Sequence, residues 1–397
     1  MRRRKGNLTD RVLGRLLRLP APTTGYTVSR VAVPMRDGIT LLADHYAPTS
    51  EHAGTLLVRS PYGRGFPFSL MFARVYASRG YHVIVQSVRG TFGSGGVFEP
   101  VVDEAADGAD TVTWLRRQRW FTGSLGSVGV SYLGVTQWAL LVDPPPELKA
   151  VVVIVGPHDF NASTWGTGAF TLNDFLGWSD LMAHQEDRGR IRASIRQLTA
   201  RRRLARAAAN LPLGAAGRTL LGAGAPWYEA WVEHPDLDDP FWEPRRFDTA
   251  LDRVQVPVLL LSGWQDVFLT QTLTQYRRLR GRGVEVALTV GPWTHNQMLT
   301  NALGVVTRES LGWLDTHLAG AAGTPRSSPV RVFITGSTGH GWRDLPDWPP
   351  QTTARQWYLQ PGGGLATTPP ATAATAAFRY NPAEPTPTVG GRLLPPA

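Results

Sequence analysis

Residues 127–134 read Ser-Val-Gly-Val-Ser-Tyr-Leu-Gly, and no other stretch limits the fold of this chain as much. An apolar strand has to end at Val130, and a helix has to begin within two residues, because Leu133–Leu141 is apolar and helix-compatible. Ser131 therefore falls on a sharp strand-to-helix corner, where its hydroxyl projects from the carboxyl end of a sheet. Gly129 and Gly134 remove the Cβ atoms that would collide as strand and helix close on each other. The second glycine stands one place later than in the common Gly-x-Ser-x-Gly elbow, and the chain holds 42 glycines. By itself this string is equally compatible with a structural serine in a glycine-rich turn.

At 397 residues the chain is too long for one ordinary core and implies two or three domains. It has no cysteine, which excludes disulfides, a thiol nucleophile and cysteine-ligated zinc. No apolar run approaches the ~18 residues of a membrane span. Arg2, Arg3, Arg4 and Lys5 are not followed by the apolar segment of a signal peptide before Pro20. The reading is a cytoplasmic protein. The net charge of +10 is unevenly spread. Residues 1–30 carry eight basic residues against Asp10, residues 188–218 carry nine arginines and no acid, and the remainder is net acidic. With no accompanying recognition motif, these clusters read as a mobile basic arm, with a short amphipathic helix at Val12–Leu19, and a solvated helix face, and no nucleic-acid partner is expected.

Apolar runs and helical stretches alternate after residue 25. Strands are expected at Leu56–Arg59, His82–Ser87, Ser127–Val130, Ala150–Val155, Pro257–Ser262 and Val284–Val290. Helices are expected at Ser69–Ser78, Asp103–Gln118, Leu133–Leu141, Thr270–Leu279 and Glu309–Leu318. Asp103, Glu104, Asp107 and Asp110 open one helix, an arrangement its dipole favours. The rhythm breaks over residues 163–248, where tryptophans and Arg/Ala/Leu segments suggest an inserted helical domain. From Pro329 the text changes to short strand-like runs, Val330–Thr335 and Gln356–Leu359, between Pro- and Trp-rich turns. The expected organisation is a basic arm (1–25), an α/β core in two parts (26–162 and 249–325), a helical cap (163–248) and the start of a β module (326–397).

Alternating strands and helices give a mostly parallel sheet, whose reactive groups sit at the carboxyl ends of strands. Ser131 follows one such strand. Gly263-Trp264-Gln265-Asp266 follows another, and Gly291-Pro292-Trp293-Thr294-His295 a third. The chain order Ser…Asp…His is that of the α/β-hydrolases. A serine hydroxyl needs a base to take its proton, which His295 can do near neutral pH. Asp266 would hold the imidazole tautomer and stabilise the imidazolium. The oxyanion formed on attack needs donors. The N–H of Tyr132 supplies one, and the phenol of Tyr62, in the turn Arg59-Ser60-Pro61-Tyr62-Gly63, is a candidate for the other. His158 is the rival histidine, without a matching acid on a later strand. No His-Glu-x-x-His, Walker loop or dinucleotide Gly-x-Gly-x-x-Gly is present, so neither metal nor cofactor is expected.

With these residues assembled, the chain resembles the cocaine esterase-like hydrolases, the X-Pro dipeptidyl-peptidase (S15, CocE/NonD) family, which includes the α-amino acid ester hydrolases. The resemblance runs from about Val31 to the C-terminus. It rests on Pro34-Met35-Arg36-Asp37-Gly38, Arg59-Ser60-Pro61-Tyr62, Arg89-Gly90-x-x-x-Ser94-x-Gly96, Gly129-Val130-Ser131-Tyr132-Leu133-Gly134, Gly263-Trp264-Gln265-Asp266 and Gly291-Pro292-Trp293-x-His295. It implies Ser131 as nucleophile, Asp266 and His295 as its partners, and the Tyr62 hydroxyl with the Tyr132 N–H as oxyanion hole. It also implies a helical cap and a C-terminal jelly roll. Only about 70 residues follow Pro329, so the expected architecture is an α/β-hydrolase core with an inserted cap and an incomplete, truncated jelly roll.

The expected activity is serine hydrolysis of an ester or amide acyl bond in a small molecule or short peptide. Trp165, Phe170, Asp174 and Trp178 are the candidate pocket residues. A peptidase or amino-ester hydrolase would need a carboxylate for the substrate amine, for which Asp159, Asp174 and Asp180 are candidates. Two readings from other classes compete: a non-catalytic fragment with an intact triad, and an arginine-driven binder of anionic surfaces. The sequence leaves the oligomeric state open, a homo-oligomer included.

Overall fold

The structure is a computed structural model that describes residues 2–4, 8–50, 53–187, 190–321, 326–336, 339–372, 374–387 and 391–394. Its centre is a sheet of eleven strands: β1 (Arg2–Arg4), β2 (Tyr26–Pro34), β3 (Thr40–Pro48), β4 (Thr55–Ser60), β5 (His82–Ser87), β6 (Leu125–Val130), β7 (Leu148–Ile154), β8 (Val258–Gln265), β9 (Val286–Thr294), β10 (Val330–Ile334) and β11 (Gly341–Leu345). Their order across the sheet is β1-β2-β3-β5-β4-β6-β7-β8-β9-β10-β11. The seven strands from β5 to β10 are parallel, and antiparallel strands flank them on both sides.

Strands β4, β5 and β6 are buried at every residue, because helices cover both faces of the sheet. Alternate residues feed two separate cores. Leu57, Ile84, Val151, Val153 and Leu260 point into one. Leu56, Val58, Val83, Val152 and Leu259 point into the other, which is closed by the helix Leu303–His317. The sheet order reverses where β4 and β6 lie side by side, since β5 pairs with the opposite edge of β4. A crevice opens at such a crossing beyond the carboxyl ends of the two strands. Ser131 follows β6 at that crevice, and Tyr62 follows β4.

Between β7 and β8 the described chain forms helices and no sheet strand: Phe160–Thr164, Leu172–His184, Arg190–Ala208, Leu213–Leu221, Trp227–Glu233 and Asp248–Arg253. This stretch spans the cap expected over 163–248. Arg188, one of the nine arginines of residues 188–218, lies outside the described residues.

The short helix expected at Val12–Leu19 within the arm over residues 1–25 lies at Leu8–Leu16. Its buried Asp10 pairs with Arg74 at 2.8 Å and accepts from the Tyr26 hydroxyl at 3.1 Å. One carboxylate within a basic segment thus fixes it to the core. The strand expected to open the β module, Val330–Thr335, is β10. It pairs in parallel with β9 and extends the hydrolase sheet, as does β11 antiparallel to it. A mixed sheet accepts such an edge as readily as a separate sandwich does, and the apolar alternation of the two is the same. Beyond β11 the described residues hold one further strand pair, β12 (Tyr358–Leu359) with β13 (Leu365–Ala366).

Asp10→Ala leaves the Arg74 guanidinium without its buried partner and is expected to lower the free energy of unfolding by about 3 kcal/mol. Urea unfolding measures it, and an unchanged midpoint would return residues 8–19 to the status of an unattached arm.

Candidate active site

Ser131 has φ 56° and ψ −122°, a left-handed conformation that side chains other than glycine rarely adopt. The turn is held from below. The Ser131 N–H donates to the Ile154 carbonyl at 2.8 Å, and the Ser131 carbonyl accepts from the N–H groups of Gly134 and Val135 at 2.7 and 3.1 Å. A Cβ at position 129 would lie 2.5 Å from Leu133 Cβ, and one at position 134 would lie 2.7 Å from the Cα of Gly156. The late glycine of the elbow therefore has a specific cause: backbone meets backbone where the helix Tyr132–Leu140 crosses the end of β7.

Asp266 follows β8 and is fully buried. Its Oδ1 accepts from the Phe268 N–H at 2.8 Å, and its Oδ2 accepts from His295 Nδ1 at 2.6 Å. A carboxylate can only accept here, so Nδ1 carries a proton, and in the neutral ring the lone pair is on Nε2. His295 is itself buried, with Phe268 edge-on to its ring at 5.3 Å. β6, which precedes Ser131, and β8, which precedes Asp266, are separated by β7 alone, and β9 lies next beyond β8.

The phenol of Tyr62 accepts from Trp178 Nε1 at 2.9 Å, with the Ser131 hydroxyl as a second polar neighbour. Burial pushes the Tyr62 pKa up to about 12, the two neighbours working against that rise, so the phenol keeps its proton. Tyr132 opens a nine-residue helix, so its N–H has no intrahelical partner and lies at the positive end of the helix dipole. Its side chain runs the other way. The hydroxyl donates to Glu104 Oε1 at 2.9 Å and accepts from the Val101 N–H at 2.7 Å, while Glu104 pairs with Arg59 at 2.8 Å.

The acidic helix now acquires functions that dipole complementation did not supply. Glu104 pairs with Arg59, Asp107 with Arg89 at 2.6 Å, and Asp110 with Arg36 at 2.8 Å. Sequence reading missed Glu104 and Arg59 as supports of the elbow. The available signal was the arginine before Ser-Pro-Tyr, at the end of a strand otherwise apolar. Among the described residues no group of acidic and histidine side chains is arranged to hold a metal ion.

Of the four candidate pocket residues, the structure brings Trp178 to the two tyrosines beside Ser131. Trp178 touches Tyr62 and lies parallel to the Tyr132 ring at 5.9 Å. Asp174, one turn earlier in the same cap helix, is buried, and burial raises its pKa. Its Oδ1 accepts from the Leu394 N–H at 2.8 Å, and Asn173 Nδ2 donates to the Leu394 carbonyl at 2.9 Å, so residues 391–394 lie against the cap at this point. Trp165 and Phe170 instead pack on each other at 5.3 Å within the aromatic interior of the cap, Trp165 Nε1 donating to the Trp231 carbonyl. Asp159 caps the helix Phe160–Thr164, and Asp180 is held by Arg203 at 2.8 Å. His158 sits between Gln275 and Asp248, away from the elbow serine in its contacts.

A family model for X-Pro dipeptidyl-peptidase (S15 family) matches residues 37–297. The chain is 34% identical to a cocaine esterase of Rhodococcus sp. (strain MB1 Bresler), over 92% of this chain and 69% of that protein. Among solved structures, an aminopeptidase from a marine sediment Thaumarchaeota archaeon superposes with a TM-score of 0.70 at 23% identity, over 91% of this chain and 66% of its own. An α-amino acid ester hydrolase superposes with a TM-score of 0.65 at 23% identity, over 93% and 68%. At that identity the two structures speak for the fold. The chain spans about two thirds of the length of the relatives it matches.

Gly134→Ala forces a Cβ into the Gly156 backbone and is expected to cost about 1–3 kcal/mol. Gly281→Ala, with open space at its Cβ, is the control and leaves the unfolding midpoint within about half a kcal/mol of wild type. Thermal unfolding of the two variants separates a packed elbow from a tolerant turn.

Proposed function

The chain belongs to the X-Pro dipeptidyl-peptidase (S15) family and is a serine hydrolase; from that premise we propose that it cleaves an ester or amide acyl bond through an acyl-enzyme on Ser131. The observation that carries the residue assignment is the buried 2.6 Å bond from His295 Nδ1 to Asp266, formed by side chains that leave the ends of neighbouring strands near the elbow. His295 Nε2 takes the Ser131 proton as Oγ bonds to the acyl carbon. The negative charge that develops on the carbonyl oxygen is met by the Tyr62 phenol and the Tyr132 N–H. Collapse breaks the bond to the leaving group, which departs with the proton from His295. Water then repeats the sequence on the acyl-enzyme and releases the acid. Asp266 holds the imidazole throughout and stabilises its protonated form.

A second reading concerns the substrate. Asp159 and Asp180 are committed to a helix cap and to an arginine; Asp174, in the cap helix that carries Trp178, gives its Oδ1 to the Leu394 N–H and the Asn173 amide and keeps Oδ2 outside those bonds. That position favours an acyl group bearing a free amine, as an aminoacyl ester or an X-Pro amide does. Among the described residues no helix is long and apolar enough to cross a membrane.

Ser131→Ala is expected to abolish both turnover of a chromogenic ester and labelling by a fluorophosphonate probe while the unfolding midpoint is kept; a labelled alanine variant would move the nucleophile elsewhere. Asp266→Asn should lower kcat by about 10⁴, the loss expected when the histidine takes the wrong tautomer, and Asp159→Asn should leave it near wild type. A panel of aminoacyl, phenylacetyl and benzoyl esters beside X-Pro amides reads the substrate class. A preference for aminoacyl substrates that Asp174→Asn removes supports amine recognition, and indifference of the panel to that variant rejects it.

A further inference from the structure

Trp178 lies in the helix Leu172–His184 of the cap and packs there on Trp227 and Trp231, and it also reaches both tyrosines of the proposed oxyanion hole. An indole N–H is a donor and never an acceptor. The 2.9 Å bond from Trp178 Nε1 therefore obliges the Tyr62 oxygen to accept. A phenol O–H prefers the plane of its ring, which offers its hydrogen two directions. The Trp178 donor fills one of them and leaves the other for the phenol hydrogen.

The same indole lies nearly parallel to the Tyr132 ring, at 9° and 5.9 Å. That ring is held at its far end by Glu104 and the Val101 N–H. Trp178 thus touches both residues that supply donors to the reacting oxygen, one through its N–H and one through its face. A second bond ties the cap to the same turn, from Gln185 Nε2 to the Pro61 carbonyl at 2.9 Å. The sequence reading had placed Trp178 in the wall of the substrate pocket. A wall residue needs no hydrogen bond to the phenol, and a core residue need not direct its one polar atom at a group beside the nucleophile.

We infer that Trp178 is a positioning residue of the oxyanion hole: its indole N–H fixes the direction of the Tyr62 O–H, so that the phenol meets the developing charge already aligned. The inference rests on the hydrolase reading with Ser131 as nucleophile and Tyr62 as donor. It gives the cap a part in turnover as well as in substrate contact, because the helix Leu172–His184 carries the group that orients the Tyr62 donor.

The test is a double-mutant cycle on ester hydrolysis, with kcat and KM resolved. Tyr62→Phe alone should lower kcat by about 10²–10³. Trp178→Phe, which keeps an aromatic ring and removes the N–H, should lower kcat by about ten- to thirty-fold with KM within about twofold, the mark of an interaction made in the transition state. In the Tyr62→Phe background the same replacement should change kcat by less than about twofold, because the group it orients is gone. An equal factor in both backgrounds, or an effect confined to KM, would reduce Trp178 to packing or to substrate contact and overturn the inference. If Trp178→Phe does not fold, site-specific replacement of the indole by benzothiophene keeps the ring shape and removes only the donor, and it should give the same pattern. Fluorophosphonate labelling of the wild type at Ser131 separates the two levels. Its failure removes the hydrolase assignment and this inference with it, whereas labelling with an additive cycle removes the inference alone.

Discussion

The backbone of Ser131 is held in a conformation that costs a residue with a side chain about 1–3 kcal/mol, and the placement of every other functional group follows from it. The strain persists because the neighbourhood leaves no alternative. β6 is buried at all its residues, the helix after it is buried along its length, and glycines at 129, 134 and 156 let the main chains meet where side chains would not fit. A relaxed corner would push the helix off the end of β7 and carry the Tyr132 N–H away from the serine. The sheet adds the second condition. At the β4/β6 crossing, strands distant in order of formation become neighbours, and the Tyr62 turn comes beside the Ser131 turn without either loop having to be long.

Beneath the elbow lies a set of charges whose organisation is as constrained as the packing. Arg59 reaches Glu104, Gln86 and the Glu104 carbonyl from inside the sheet, and Glu104 in turn accepts from the Tyr132 hydroxyl. Buried ions on this scale add little net stability, but removal of one partner strands the others. Their value here is geometric: the ring of Tyr132 is fixed at its hydroxyl, and the N–H at the other end of the residue is fixed with it.

The elbow, the Ser…Asp…His order and the six central strands were legible in the sequence because each is a local pattern: an apolar run, a turn, a reactive residue directly after it. The supports were not. Glu104 and Asp107 look like any acids at the start of a helix, and only the fold reveals that arginines from β4 and the loop after β5 lie opposite. Asp10 escaped notice for the same reason, as a single acid among arginines whose partner is 64 residues away. The expected β module failed at its first strand for a different cause. Period-two alternation in Val330–Ile334 specifies a half-buried strand and is silent on which sheet receives it. Trp178 was found, but its direction was not: composition places a tryptophan in a cap, and the aim of its N–H is a property of tertiary structure.

The extension of the sheet through β10 and β11 makes β11 an outermost strand, paired on one side only among the described residues. Its outer row of amide and carbonyl groups is a template on which a foreign strand could stack. Arg343 and Asp344, both exposed in the middle of β11, stand in the way, since a newcomer would have to strip water from a charged pair before its first ladder bond formed. The margin of the sheet therefore carries its own guard against fibre-like growth, written in two adjacent residues.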